Sequence, residues 1–184
     1  MTLNEIAYLA FVIVEVIVLF IAATYAVFLV YSWLHGAPFV GTETDEFENI
    51  FSSIPIVSGM TFLDIGCGDG RVVIDAIKKY KVNGIGIDIN PLLICYARFR
   101  ASWLKIHSAK FYIAKIDKFD FSKADIIYIY LFPKLVEKLI DKIRNEAHPG
   151  TYIISHAFKI EGLEEHFLKS LSGKKFKTYI YLIT

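Results

Sequence analysis

Cysteine is scarce in this chain of 184 residues: Cys67 and Cys95 are the only two. Their spacing matches neither a disulfide framework nor a zinc site, so the expectation is a reducing compartment and no metal. Positive charge is missing from residues 1–70, which hold no Lys or Arg but eight acids. All 20 bases fall in residues 71–184 against the remaining 11 acids, a net +9 that the overall +1 conceals. Such a surface suits nucleic acid or anionic lipid headgroups, and equally a solvated lysine-rich face. No internal repeat or low-complexity tract occurs, and the length fits one ordinary domain plus an appendage.

What the front of the chain does have is apolar length. Ile6 to Leu34 is apolar apart from Glu15, Thr24, Ser32 and a few tyrosines. Within it, Val16 to Leu34 runs 19 residues without a charge. At 1.5 Å per residue that spans roughly 28 Å, close to the ~30 Å hydrocarbon core, and predicts one transmembrane helix. Tyr31 and Trp33 then fall in an aromatic belt, and Glu15 near the opposite interface. A cleaved signal peptide fits less well, because no basic n-region precedes the run and the run is too long. Residues 1–35 are thus the expected anchor, 36–59 a linker with a pre-domain helix, and 60–184 the folded domain. Gly36-Ala-Pro38 breaks the first helix, and Glu46 to Ser52 is expected to form one or two turns.

The domain is organised around Thr61-Phe-Leu-Asp-Ile-Gly-Cys-Gly-Asp-Gly-Arg71. Met60 to Ile65 reads as a buried parallel strand, Gly66-Cys-Gly-Asp-Gly70 as a turn, and Val72 to Lys79 as a helix. A glycine turn at a helix N-terminus lets backbone N–H groups approach a ligand. Dinucleotide sites prefer G-x-G-x-x-G, whereas this turn reads G-x-G-x-G with an acid on either side. Asp69 disfavours a pyrophosphate and tolerates a cation. S-adenosylmethionine, with a sulfonium and an ammonium, suits such a turn. Leu63-Asp-Ile-Gly-Cys-Gly-Asp-Gly70 resembles motif I of the class I S-adenosylmethionine-dependent methyltransferases.

The chain beyond alternates strand and helix, the pattern of a parallel sheet. Gly84 to Asp88 is the second strand, and Pro91 to Leu104 the second helix. A carboxylate at Asp88 can accept both ribose hydroxyls, or alternatively cap the helix. Lys110 to Ala114 and Ala124 to Tyr130 are further strands, joined by a polar loop from Lys115 to Lys123. Pro133 to Glu146 reads as a helix and Thr151 to His156 as a strand. Glu165 to Leu171 and Phe176 to Ile183 read as a closing antiparallel hairpin, the first of them compatible with helix. The fold class expected is α/β, a Rossmann-like methyltransferase sheet preceded by one transmembrane helix.

Asn90-Pro91, Tyr96-Ala-Arg-Phe-Arg100, Tyr130-Leu-Phe-Pro133, His148-Pro-Gly-Thr151 and Ser155-His-Ala-Phe158 resemble one subgroup of that superfamily. It contains the membrane-anchored c-subunit lysine methyltransferase of the mitochondrial ATP synthase and related archaeal and bacterial protein-lysine methyltransferases. The resemblance runs from about Gly36 to the C-terminus. Gly41 replaces a usual proline, Ala157 a frequent aspartate, and Ala114-Lys-Ile116 a Gly-Asp-Leu adenine-edge motif, leaving Asp117 as its substitute. The resemblance implies S-adenosylmethionine held by Asp64, Gly66, Cys67, Gly68, Asp69, Gly70, Asp88, Ile89, Asn90 and Asp117.

Tyr130, Phe132, Pro133 and Phe158 are the candidates for walling the acceptor pocket, with cation–π contact to an amine or sulfonium. Capping of the core by Phe132 and Phe158 is the competing account. His156 is a candidate base. The function implied is methyl transfer to a lysine of a membrane-proximal protein, with the domain on the cytosolic side of a single-pass anchor. Lipid or quinone methylation and a non-catalytic cofactor-binding assembly factor are the alternatives. Nucleic acid is disfavoured, because Tyr130-Leu-Phe-Pro133 stands where base-amino methyltransferases carry Asn/Asp-Pro-Pro-Tyr/Phe.

Overall fold

The computed structural model describes residues 2–34 and 44–184 and contains two compact units, Met1–Pro38 and Phe39–Thr184. The first unit is helix α1, Leu3–Leu34, of 32 residues. At 1.5 Å per residue it is roughly 48 Å long, more than a ~30 Å hydrocarbon core requires. Thr2 and Glu5 start it reciprocally: the Glu5 amide donates to the Thr2 hydroxyl and the Thr2 amide to the Glu5 carboxylate. This is a capping box, which satisfies two donors left open at a helix start. Leu3–Val27 is long and apolar enough to cross a membrane, and its large apolar side chains are exposed. The expected break at Gly36-Ala-Pro38, Gly41 and the side chains of Tyr31 and Trp33 lie outside the described residues.

In the second unit, helix α2 (Thr44–Phe51) exists because Phe47, Ile50 and Phe51 recur at helical spacing and are all buried. The Phe51 ring lies 5.3 Å from that of Phe62 and 5.9 Å from that of Tyr128. Helix α2, within the segment expected as linker and pre-domain helix, thus packs into the domain's own core.

Seven strands form one sheet: β1 (Thr61–Ile65), β2 (Asn83–Asp88), β3 (Ala109–Ile113), β4 (Ile126–Ile129), β5 (Tyr152–His156), β6 (Phe167–Ser172) and β7 (Lys177–Leu182). Their order is β3-β2-β1-β4-β5-β7-β6. The first five are parallel, and β7 runs antiparallel between β5 and β6. Helices α3 (Arg71–Tyr80) and α4 (Pro91–Trp103) follow β1 and β2. Gly84 and Gly86 of β2 let this layer sit close, because a Cβ would meet Val73 and Ile77 at one and Cys67 and Phe111 at the other. Right-handed crossovers put the helices after β4 on the opposite face.

Three details differ from the sequence reading. The helix expected over 133–146 is two, α5 (Pro133–Glu137) and α6 (Ile140–Glu146), interrupted at Lys138-Leu139. The segment compatible with helix before the last strand is β6, entered through a 3₁₀ turn at Glu164–His166. The helix cap after β2 is Asn90, whose side-chain oxygen accepts from the Leu92 and Leu93 amides, and not Asp88. The Rossmann-like α/β sheet itself stands as expected, with strand ends moved by one or two residues.

Candidate functional site

Strand order reverses between β1 and β4, so the crevice of this open sheet lies at their carboxyl ends. The glycine turn begins there. The Gly66 and Cys67 amides both donate to the Ile87 carbonyl, folding the turn across the end of β2. Gly66 and Gly70 have φ of 82° and 74°, a left-handed conformation that side chains resist. A Cβ on Gly66 would meet Leu131, and one on Gly70 would meet Phe111 and Ala97 within 3 Å. Gly70 is therefore required by packing of the turn against β3 and α4.

Asp88 ends β2 with its carboxylate fixed from two sides. The Gly68 amide donates to one oxygen at 3.0 Å and the Asn90 amide to the other at 2.8 Å. Burial pushes this carboxyl up, while the amides of Asn90, Gly68 and Ile89 pull it back. Two backbone donors leave other lone-pair positions on the carboxylate, which fits a vicinal diol beside it. Asp64, next to last in β1, is buried. Burial, then the nearby Asp88 and Asp69 charges, push its carboxyl well above the usual range. A cation placed among these acids stabilises Asp64 in its ionised form.

Asp69 is charge-paired within the chain. Its carboxylate pairs with Arg71 at 2.9 Å and with Arg100 of α4 at 3.2 Å. Two guanidiniums balance its charge, so the preference for a cationic ligand rests on Asp64 and Asp88. Burial and the Asp64 charge push the Cys67 thiol up, keeping it a protonated, small apolar side chain. The buried Asn90 side chain caps α4, Ile89 is half-buried, and Asp117 is exposed on a 3₁₀ turn beside Lys118.

The other half of the crevice is aromatic. Tyr130 and Phe132 follow β4, and Pro133 opens α5. Phe132 is 45% exposed, and its ring lies 6.2 Å from that of Phe158. Phe132 is thus partly open to solvent, while Phe158 is half-buried. His156 ends β5 and is buried, with Nδ1 2.9 Å from the Thr178 hydroxyl. Its ring lies 4.7 Å from Tyr130, 5.9 Å from Phe176 and 6.4 Å from Tyr128. After it, Ala157 adopts φ +74°, and its amide donates to the Lys177 carbonyl.

The structure thus gathers the expected residues into two neighbouring groups, Asp64, Gly68 and Asp88 on one side and Tyr130, Phe132, His156 and Phe158 on the other. Asp117 is joined to neither by any described hydrogen bond. Phe176, Thr178 and Arg100 were missed by sequence reasoning. The first two reach the site only because β7 inserts beside β5, and Arg100 meets Asp69 across 31 residues. Among the described residues no group of three or more His, Cys, Asp or Glu is placed to hold a metal.

Comparison with known proteins agrees with this fold. Residues 64–166 match the family model described as the ANTKMT methyltransferase domain. The chain is 36% identical over 122 residues to the ATP synthase c-subunit lysine N-methyltransferase of Homo sapiens, covering 66% of this chain and 52% of that protein. It spans about half the length of such mammalian relatives. It is 29% identical over 161 residues to a protein-lysine N-methyltransferase of Saccharolobus islandicus, covering 83% of this chain and 97% of that one. Among solved structures, an RNA methyltransferase of Salinibacter ruber in complex with S-adenosyl-L-homocysteine superposes with a TM-score of 0.72. That pair is 25% identical, with 78% of this chain and 94% of the other covered.

Proposed function

The chain belongs to the ANTKMT methyltransferase domain family, and on that footing we propose that it is an S-adenosylmethionine-dependent protein-lysine N-methyltransferase held at a membrane by α1. The observation that carries the proposal is the Asp88 carboxylate, fixed by the Gly68 and Asn90 amides beside the buried Asp64. Asp88 is the group to receive the ribose hydroxyls, and Asp64 the group to face the cationic amino-acid end. Gly66, Cys67 and Gly70 shape the turn that admits them. A lysine acceptor agrees with the mammalian relatives, whose names specify lysine N-methylation of an ATP synthase component.

S-adenosylmethionine, when bound, supplies an electrophilic methyl group on a sulfonium. The protein's part is alignment in a dry pocket and delivery of a neutral amine. A lysine of reference pKa ~10.4 costs roughly 4 to 5 kcal/mol to deprotonate at pH 7. Tyr130, Phe132 and Phe158 lower that cost, because an apolar wall disfavours the ammonium form. His156, bonded to Thr178 and edge-on to Tyr130, holds the Tyr130 ring in place. The amine's proton leaves through the half-open mouth at Phe132 to water. The catalytic domain sits on the cytosolic side, where the cofactor is made.

The test incubates the full chain with host membranes and methyl-labelled S-adenosylmethionine, then separates protein, lipid extract and RNA. Label in a protein band, lost in Asp88→Ala, is the expected result. Label in the organic phase assigns the enzyme to lipid or quinone chemistry instead. Label in RNA follows the Salinibacter neighbour, and cofactor binding without any label leaves an assembly factor.

A further inference from the structure

Helix α4 has a second apolar face that the proposed site does not use. Its inner face is Ile94, Ala97 and Ala101, all buried. Leu92, Tyr96, Phe99 and Trp103 follow at steps of four, three and four residues. At 100° per residue these steps set them on one outer stripe. Exposure climbs along it, 38%, 53%, 62% and 76%. A helix covering a sheet normally turns polar on this side. Apolar side chains scattered singly on a surface need no explanation, but four in register, three of them aromatic, mark an interaction face. The Phe99 and Trp103 rings already lie 6.2 Å apart and form one continuous surface.

Charge selects the partner. From Pro91 to Ile116 the chain carries Arg98, Arg100, Lys105, Lys110 and Lys115 and not one Asp or Glu. Arg100 lies one flank from the stripe and shares Asp69 with Arg71, a trio with net positive charge. The Arg98 guanidinium donates to the Phe111 carbonyl, a partner without formal charge. A second copy seated on this face would set like charges against each other. Headgroups of anionic lipid reverse that sign, and aromatic rings favour the headgroup–acyl boundary.

We infer that the outer face of α4 docks on the surface of a bilayer containing anionic lipid, with Tyr96, Phe99 and Trp103 sunk to the acyl boundary and the bases among the headgroups. The inference rests on the reading of α1 as a membrane anchor, which supplies the bilayer. Strands β2 and β3 run antiparallel to α4, so docking lays the sheet along the membrane. The crevice then opens parallel to the surface, at the height where loops of other membrane proteins emerge.

The experiment uses the full chain carrying Trp33→Phe, which leaves Trp103 as the single tryptophan of the two. It is reconstituted in vesicles of phosphatidylcholine, with or without phosphatidylglycerol, whose acyl chains are brominated near the headgroup. Loss of most Trp103 emission in the anionic brominated vesicles, with shielding from iodide, is expected. Tyr96→Ser with Phe99→Ser should restore emission and iodide access. An environment-sensitive dye on Cys95, the exposed thiol where Cys67 is buried, reports the same change independently. Trp103 open to iodide in a chain that floats with vesicles overturns the docking while the anchor survives. Shielding that grows with protein concentration without lipid assigns the face to a second copy and also overturns it. A chain released by alkaline carbonate shows that the anchor reading failed, and bromine quenching at neutral pH still decides the docking.

Discussion

The Ser155 hydroxyl donates to the Phe158 carbonyl at 2.6 Å, closing the turn that holds Ala157 at φ +74°. A non-glycine residue in this region costs roughly 1–2 kcal/mol, less for Asn or Asp, whose side chains bond locally. Strain of this kind persists where surrounding contacts fix the backbone, here the Ala157 amide on Lys177 and the Ser155 hydroxyl. Ala157→Asn is expected to raise stability by a few tenths of a kcal/mol, and Ala157→Val to lower it by about 1–2 kcal/mol. Urea unfolding measures both. A Val variant as stable as the wild type would show that this turn is not strained.

Asp88 is the position on which cofactor affinity should depend most. Asp88→Ala removes the carboxylate that accepts from the Gly68 and Asn90 amides, together with the proposed diol contacts. Hydrogen bonds to a charged group are worth about 1.5–3 kcal/mol each, so a loss of about 100-fold in affinity is expected. Calorimetric titration with S-adenosylhomocysteine reads it, and near-wild-type affinity would remove Asp88 from the site.

Protonation of Asp64 should couple to binding. Its carboxyl, pushed up by burial and by Asp88 and Asp69, is neutral over part of the acid range where an ordinary aspartate is ionised. A cationic ligand favours the ionised form, so binding releases a proton and affinity falls as pH drops below the raised value. Above it, affinity is flat. The free protein shows the opposite trend in stability. The native state holds more protons than the unfolded one between the ordinary and the raised value, so stability falls as pH rises through that window. Asp64→Asn removes the Asp64 share of both dependences, leaving that of the buried Asp88, whose carboxyl is also pushed up. Calorimetry in buffers of different ionisation enthalpy counts the proton, and a count of zero in the acid range contradicts the assignment.

Gly70→Ala separates packing from ligand contact. The added methyl would sit 2.6 Å from Phe111 and 2.9 Å from Ala97, at a left-handed φ. Overpacking costs about 1–3 kcal/mol and the backbone another ~1–2 kcal/mol. The expected outcome is a Tm lowered in step, with the cofactor affinity of the folded fraction little changed. A variant of normal Tm that has lost binding would return Gly70 to the ligand.

The sheet was legible because the parallel strands are short runs carrying Ile or aromatic residues and bounded by turns, and the Asp64 and Asp88 positions follow from where those strands end. Long-range pairings were not. Nothing in the local pattern around Asp69 announces Arg100, and the apolar spacing of 133–146 continues through the break at Lys138-Leu139. Phe176 looks like the first residue of a closing strand. Only the insertion of β7 beside β5 turns it toward His156. Helix α2 was expected as one or two turns within a linker and pre-domain segment, while its burial against Phe62 and Tyr128 is a tertiary fact.

Strand β7 is the last of the seven in sequence, yet it lies inside the sheet, between β5 and β6. During synthesis the sheet therefore stays divided: β5 shows a bare edge and β6 has no neighbour until residues 177–182 leave the ribosome. The apolar α1 emerges long before that moment, so under the proposed anchoring a membrane would take up α1 while the sheet is still open. An unpaired edge of Tyr152-Ile-Ile-Ser155 favours pairing with other chains. Translation pausing or chaperone loss should accordingly harm the yield of this protein more than a point substitution on its surface.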